Sequence, residues 1–406
     1  MTIKLEDIKA AQLRIADHIQ KTQCTISRSA TAILGTNIYF KFENEQRTGS
    51  FKIRGAMNKI AQLTKEELSK GIVACSAGNH AQGVAFSATT LGTKAHIVMP
   101  ENSPLIKVMA TQGYGAEVIL HGEIFDESYN KAKELEAEKG YTFVHPFNDP
   151  HVMAGQGTIG LEIFEQVADL DSVVIPIGGG GLISGIASAV KALNPKIKVY
   201  GAVAKNVPGM YQLFKGETYD PSTKKSTIAD GLAVKQPNQS IFENYIHPLV
   251  DDVVMVDEDE IASSIVFLLE RAKTVVEGAG SVGLAAAMKM KGQWALGKNS
   301  CIILCGGNID LNIISKTIER GLSKIGRVAR VRLVVADQPG VLNILTGVIA
   351  AKKANVIQVH HDRLAPGIEM NETLIEFLLE CKSIAHINSV IQGLRESGAR
   401  IVSEDY

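Results

Sequence analysis

From Gly71 to Val144, short apolar runs alternate with longer stretches in which apolar residues recur at helical spacing. Ile72-Val73-Ala74-Cys75 precedes a helical pattern over 79–91, and Ala95-His96-Ile97-Val98-Met99 precedes another over 105–112. Ala116-Glu117-Val118-Ile119-Leu120 leads into a charged pattern over 124–139. Strands that alternate with helices predict parallel βαβ units. The rhythm returns after residue 155, with a strand over 172–177, a helix over 182–193 and a strand over 198–204. A strand over 300–304 and a helix over 311–323 complete it. Two α/β lobes with a cleft between them follow, because open α/β sheets bind ligands beyond the carboxyl ends of their strands.

At Gly326-Arg327 the pattern changes. Val331, Leu333 and Val335 alternate with small or polar neighbours, as in a half-buried strand, and Asp337-Gln338-Pro339-Gly340 is a turn signal. A helix over 341–353, strands over 356–363 and 373–381, a helix over 384–396 and a strand over 399–403 give the order βαββαβ, a ferredoxin-like module. The expected division is one domain over 1–326, with a smaller lobe at about 50–149 inserted in a larger one, and a second domain over 328–406.

Composition narrows the class. Of 406 residues 45% are hydrophobic and 21% charged, as in ordinary soluble proteins. Lys and Arg (42) nearly balance Asp and Glu (43), so no bulk field attracts nucleic acid or membrane. The first seven residues begin a charged amphipathic helix rather than a secretory signal, and no apolar run is long enough to span a bilayer. Cysteines 24, 75, 301, 305 and 381 form no CxxC pair, and a reducing cytoplasm is the expected setting. No His or Cys spacing suggests zinc, and no metal is expected.

Chemistry concentrates in four glycine-rich stretches. Thr48-Gly49-Ser50-Phe51-Lys52-Ile53-Arg54-Gly55-Ala56, with Glu43 upstream, sets one lysine among small residues beside an aromatic ring. A lysine desolvated there has a lowered pKa and can form a Schiff base. Phe51 reads equally as the cover of a cofactor ring or as a core aromatic. Gly178-Gly179-Gly180-Gly181-Leu182 follows a strand and opens a helix, so its backbone N–H groups can surround a phosphate. In Ser76-Ala77-Gly78-Asn79-His80, the N–H groups and the Ser76 hydroxyl suit a carboxylate, and the Asn79 amide suits a phenolic oxygen. His80 itself reads more readily as a structural histidine than as an acid or base. Cys305-Gly306-Gly307-Asn308 ends a buried strand, and its thiol can bond a pyridine nitrogen without fully protonating it. Taken together, the four describe a pyridoxal 5'-phosphate site.

In this order the motifs resemble the threonine/serine dehydratases of the fold-type II pyridoxal-phosphate enzymes, over residues 1–325. The resemblance implies that Lys52 carries the cofactor and that Phe51, Asn79, Gly178, Gly179, Gly180, Gly181, Leu182 and Cys305 surround it. It also implies that Ser76, Ala77, Gly78, Asn79 and His80 receive an amino-acid substrate. The tail from Val328 resembles a single ACT domain, an amino-acid-sensing module, with Asp337, Gly340 and Asn343 as its effector residues. One such module behind a dehydratase core resembles the medium-length threonine ammonia-lyases. The implied reaction is β-elimination of L-threonine, with L-serine a poorer substrate, in a homodimer or homotetramer, for either isoleucine synthesis or threonine breakdown. The related serine racemases carry a second serine where this chain has Ala77. They also carry a metal-binding glutamate in the stretch matching Gly201-Ala202-Val203-Ala204, where this chain has no acid. The rival readings are racemisation or β-replacement on the same scaffold, or a non-catalytic amino-acid sensor.

Overall fold

In the computed structural model, which describes residues 2–234 and 236–405, the first ten strands form two sheets. They are β1 (Cys24–Ile26), β2 (Asn37–Phe42), β3 (Ile72–Cys75), β4 (Ala95–Met99), β5 (Glu117–Leu120), β6 (Thr142–Phe143), β7 (Ser172–Pro176), β8 (Lys198–Ala204), β9 (Asp252–Val256) and β10 (Asn299–Leu304). The smaller sheet runs β5-β4-β3-β6 and is wholly parallel. The larger runs β1-β2-β10-β7-β8-β9 and is parallel except for β1. Helices cover both faces of such sheets, which is why every residue of the interior strands β3, β4, β7 and β10 is buried. Edge strand β5 is only partly covered.

The helix Pro150–Gln166 returns the chain to the larger sheet. Its start is well specified: Pro150 is pre-shaped for a first helical position, and the Asp149 carboxylate accepts from the N–H groups of His151 and Val152. Its three glycines serve packing. A Cβ on Gly155 would lie 2.5 Å from the Arg54 carbonyl, and one on Gly157 would lie 2.9 Å from the Gly185 carbonyl. The helices Lys52–Ile60 and Gly181–Leu193 therefore press on it backbone to backbone.

Four charges are buried at this junction. The Arg54 guanidinium bonds both Glu43 oxygens at 2.8 Å and reaches Glu162 at 2.6 Å, and the Lys41 ammonium lies 2.6 Å from the other Glu162 oxygen. None of the four side chains is more than 4% exposed, and their formal charges cancel. Together they tie the segment after β2, the helix Lys52–Ile60 and the helix Pro150–Gln166 at one point.

The chain divides into two compact units, the first ending at Asp310 and the second running from Leu311 to Tyr406. In the second, the helix Leu311–Lys324 leads into β11 (Val328–Ala336), followed by the helix Val341–Ala351, β12 (Asn355–Asp362), β13 (Glu372–Glu380), the helix Ile384–Glu396 and β14 (Arg400–Asp405). Its antiparallel sheet runs β12-β13-β11-β14, the ferredoxin-like βαββαβ arrangement. Alternate residues of β11 and β13, among them Val331, Leu333, Ile375 and Phe377, point into one core beneath the two helices.

Candidate active site

Lys52 opens the helix Lys52–Ile60 directly after its N-cap residue Phe51. The loop before it is stitched to the end of β10. The Phe51 N–H donates to the Cys305 carbonyl at 3.1 Å, and the Gly307 N–H donates to the Gly49 carbonyl at 2.8 Å. Gly49 has φ +72°, and a Cβ there would strike the Asn308 side chain at 2.3 Å, so both conformation and space require glycine. The Lys52 ammonium donates to the Pro146 carbonyl at 3.0 Å. Burial pulls its pKa down to about 8, with Cys305 and Glu277 opposing.

Lys52 faces a cavity of about 1390 Å³ between the two sheets, lined by residues from all four glycine-rich stretches. Phe51, Ser76, Ala77, Gly78, Asn79, His80, Gly178, Gly179, Gly180, Gly181, Leu182 and Cys305 all line it. Every catalytic-unit residue singled out from sequence therefore reaches one space. At its rim Lys107, from the helix Leu105–Gly113, pairs with Asp230 of the larger lobe at 2.8 Å.

Gly180 takes a left-handed conformation, φ +90°, as the N-cap of the helix Gly181–Leu193. The loop's glycines also answer to packing. A Cβ on Gly178 would lie 2.9 Å from the Leu232 backbone, and one on Gly179 would lie 2.4 Å from the Phe147 ring. The first-turn N–H groups of a helix have no intrahelical acceptor. One turn further in, the buried Ser184 hydroxyl has no hydrogen-bond partner among the described residues.

Cys305 is 2% exposed, and burial, reinforced by Glu277, pushes its thiol well above the ordinary value. It is therefore a neutral thiol. The Ser76 hydroxyl accepts from the Gly78 N–H at 3.2 Å. His80 Nε2 lies 2.8 Å from the Val144 carbonyl, so that nitrogen carries the proton, and buried Nδ1 has no partner among the described residues. Burial and then Lys52 lower the His80 pKa to about 3, which keeps the ring neutral. His145 is neutral for the same reasons, with its pKa lowered to about 4. Its Nδ1 accepts from the N–H groups of Phe147 and Asn148.

The chain matches the family model described as "Pyridoxal-phosphate dependent enzyme" over residues 15–306. The chain belongs to the pyridoxal-phosphate dependent enzymes. It is 47% identical over 399 residues to the L-threonine ammonia-lyase of Thermotoga maritima, covering 98% of this chain and 99% of that one. Among solved structures, the processed form of threonine deaminase isoform 2 from Solanum lycopersicum superposes with a TM-score of 0.74 at 37% identity, over 78% of this chain and 86% of that one. Maize serine racemase superposes with a TM-score of 0.74 at 37% identity, over 79% and 98% respectively.

The residues of this enzyme fit that cofactor. A part-neutral lysine amine, a glycine loop that opens a helix and a neutral thiol at Cys305 all share the cavity. Sequence reasoning gave Glu277 no role in the site. Its side chain, 4% exposed, lines the cavity and accepts from the Asn79 amide at 2.8 Å. Burial, then the charge of Asp230, raises its pKa to about 7. Phe147, Lys107 and Asp230 were also missed, because each reaches the cavity only through tertiary packing.

The second unit holds a cavity of about 460 Å³ lined by Asp337, Gln338, Pro339, Gly340, Val341, Leu342, His361 and Arg363. Asn343 is not among its lining residues, and its backbone carbonyl accepts from Thr346. Arg363 donates to the Asp337 carboxylate at 2.8 Å, and buried His361 Nε2 has no partner among the described residues.

Proposed function

We propose that this enzyme is a threonine ammonia-lyase, converting L-threonine to 2-oxobutyrate and ammonia and, as a secondary activity, L-serine to pyruvate. The observation that carries the reading is end-to-end similarity to the T. maritima protein at 47% identity over 98% of the chain. When bound, pyridoxal phosphate withdraws electrons from the substrate α-carbon. The roles of the protein groups follow from their surroundings. Lys52 is the covalent attachment point, and its lowered pKa gives it enough free base to take the α-proton. The N–H groups of Gly178 to Leu182 hold the phosphate. The Ser76-Ala77-Gly78 turn and the first turn of the helix Asn79–Thr90 receive the substrate carboxylate, with His80 a neutral wall behind it. Asn79 offers an amide N–H to the phenolic oxygen. Cys305 meets the pyridine nitrogen without charging it, which tempers the electron withdrawal an aspartate would give. Loss of the β-hydroxyl leaves an enamine that, once released, hydrolyses to 2-oxobutyrate and ammonia.

The similarity to maize serine racemase favours racemisation as the second reading. Ala77 weighs against it, because a methyl group stands where the racemases carry a hydroxyl able to act on the opposite face of the substrate. A 2-oxo-acid assay over a panel of hydroxy amino acids separates the two. L-Threonine should give 2-oxobutyrate, and Lys52→Ala should abolish turnover. Conversion of L-serine to D-serine with no 2-oxo acid from either substrate would overturn the assignment.

The second unit is read as an ACT-like regulatory domain that binds a small amino acid through Asp337 and Gly340. The 460 Å³ cavity at that turn supports this, as do Arg363, suited to a carboxylate, and the Asp337 carboxylate, suited to an ammonium.

A further inference from the structure

The amide of Asn79 is held by a chain of hydrogen bonds whose direction is forced. Asn308 lies 2.8 Å from the Thr48 carbonyl, which can only accept, so the facing Asn308 atom must be its amide nitrogen. The same nitrogen lies 2.8 Å from the Asn79 side chain, so the near Asn79 atom must be its oxygen. The other Asn79 atom is then the amide nitrogen, and it meets the Glu277 carboxyl at 2.8 Å. One amide hydrogen of Asn79 is used in this way and the other is left for the cavity.

Glu277 is itself fixed. Its N–H donates to the Gly306 carbonyl at 3.0 Å, and a Cβ on Gly306 would lie 2.4 Å from a Glu277 side-chain oxygen. The carboxyl therefore sits against the Cys305-Gly306-Gly307 turn with little room to move. Asp230, Lys107, Lys52 and Cys305 are the charged and titratable groups around it.

We propose that Glu277 is a positioning residue for Asn79: by accepting one amide hydrogen while Asn308 donates to the Asn79 oxygen, it makes the second N–H of Asn79 the group offered to an acceptor in the cavity. The inference rests on the reading that this acceptor is the phenolic oxygen of the cofactor. Either charge state of Glu277 can serve, since a carboxylate and the carbonyl of a carboxylic acid both accept. Gln at this position keeps an acceptor, whereas Ala removes it and frees Asn79 to rotate.

A double-mutant cycle on the purified enzyme, reading cofactor affinity and the visible absorbance of bound cofactor rather than turnover, tests the inference. Glu277→Ala should weaken cofactor binding about tenfold, the equivalent of one well-made hydrogen bond, and alter the absorbance. Glu277→Gln should restore both. In an Asn79→Ala background, Glu277→Ala should change neither. An equal loss in both backgrounds, or no loss in the wild-type background, overturns the proposal. If Asn79→Ala alone leaves affinity and absorbance unchanged, the assignment of Asn79 to the cofactor fails. The positioning claim is then decided by a crystal structure of the Glu277→Ala apoenzyme. There Asn79 should leave its present orientation, and an unmoved amide would refute the proposal.

Discussion

Lys52 owes its lowered pKa to its surroundings more than to its motif. The residues that spell the motif are local, and so Lys52 was legible in the sequence. Burial lowers its pKa to about 8 against the opposing pull of Cys305 and Glu277, and that burial comes from packing of segments distant in sequence, such as the one carrying Pro146. The rate of covalent cofactor attachment to the apoenzyme should therefore climb about tenfold per pH unit below 8 and level off above it. A plateau delayed until the ordinary lysine range would count against this. Glu277 was less legible because its burial against the Cys305-Gly306-Gly307 turn comes only from packing. Its folded pKa, about 7, lies above the ordinary 4.5, so the native state holds a proton that the unfolded chain has released between those values. The resulting stability is complete below about pH 4.5 and is lost as pH rises through 7, a swing of roughly 3 kcal/mol. In urea denaturation of the apoenzyme between pH 5 and 8, Glu277→Gln should flatten that decline.

At the scale of elements, the alternating strands and helices from Ile72 onward were readable because parallel strands buried on both faces carry unbroken apolar runs. The helix Pro150–Gln166 was not. Gly155, Gly157 and Gly160 lower its intrinsic helix propensity, and it is buried nearly all round, Gln156, Thr158 and Glu162 included, so neither propensity nor period marks it. What stabilises it is tertiary: two helices pressed against its glycines and the buried charges at Glu162. Strands β1, β2 and β9 were likewise missed, being short or pieced from mixed residues such as the buried Lys41. Arg54→Met leaves two buried carboxylates with only Lys41 to answer them, and should cost about 3–5 kcal/mol in chemical denaturation. A cost under 1 kcal/mol would mean that water reaches the cluster after substitution.

On the scale of the whole molecule, the ferredoxin-like unit was legible because its period-two strands and its turn at Asp337-Gln338-Pro339-Gly340 are local signals. Arg363 and His361 became visible only when β12 was laid beside that turn. If the turn binds an amino-acid effector, Arg363→Ala should weaken the response by about ten- to a hundredfold in effector concentration while leaving unregulated turnover intact. An unchanged effector titration would move the sensing site elsewhere. The strand order carries a further consequence, for how the protein is made. In the larger sheet β10 lies between β2 and β7, so that sheet has no centre until residue 304 has been synthesised. The smaller sheet draws all four strands from 72–143, and its pairings span no more than 70 residues, from Ile72 to Thr142. Contacts near in sequence form first because they close shorter loops. During refolding, pulse-labelled hydrogen exchange should thus find the amides of β3 and β4 protected before those of β2 and β10. The wall of the cavity that carries Asn79 would then be waiting for the Lys52 loop to close against β10.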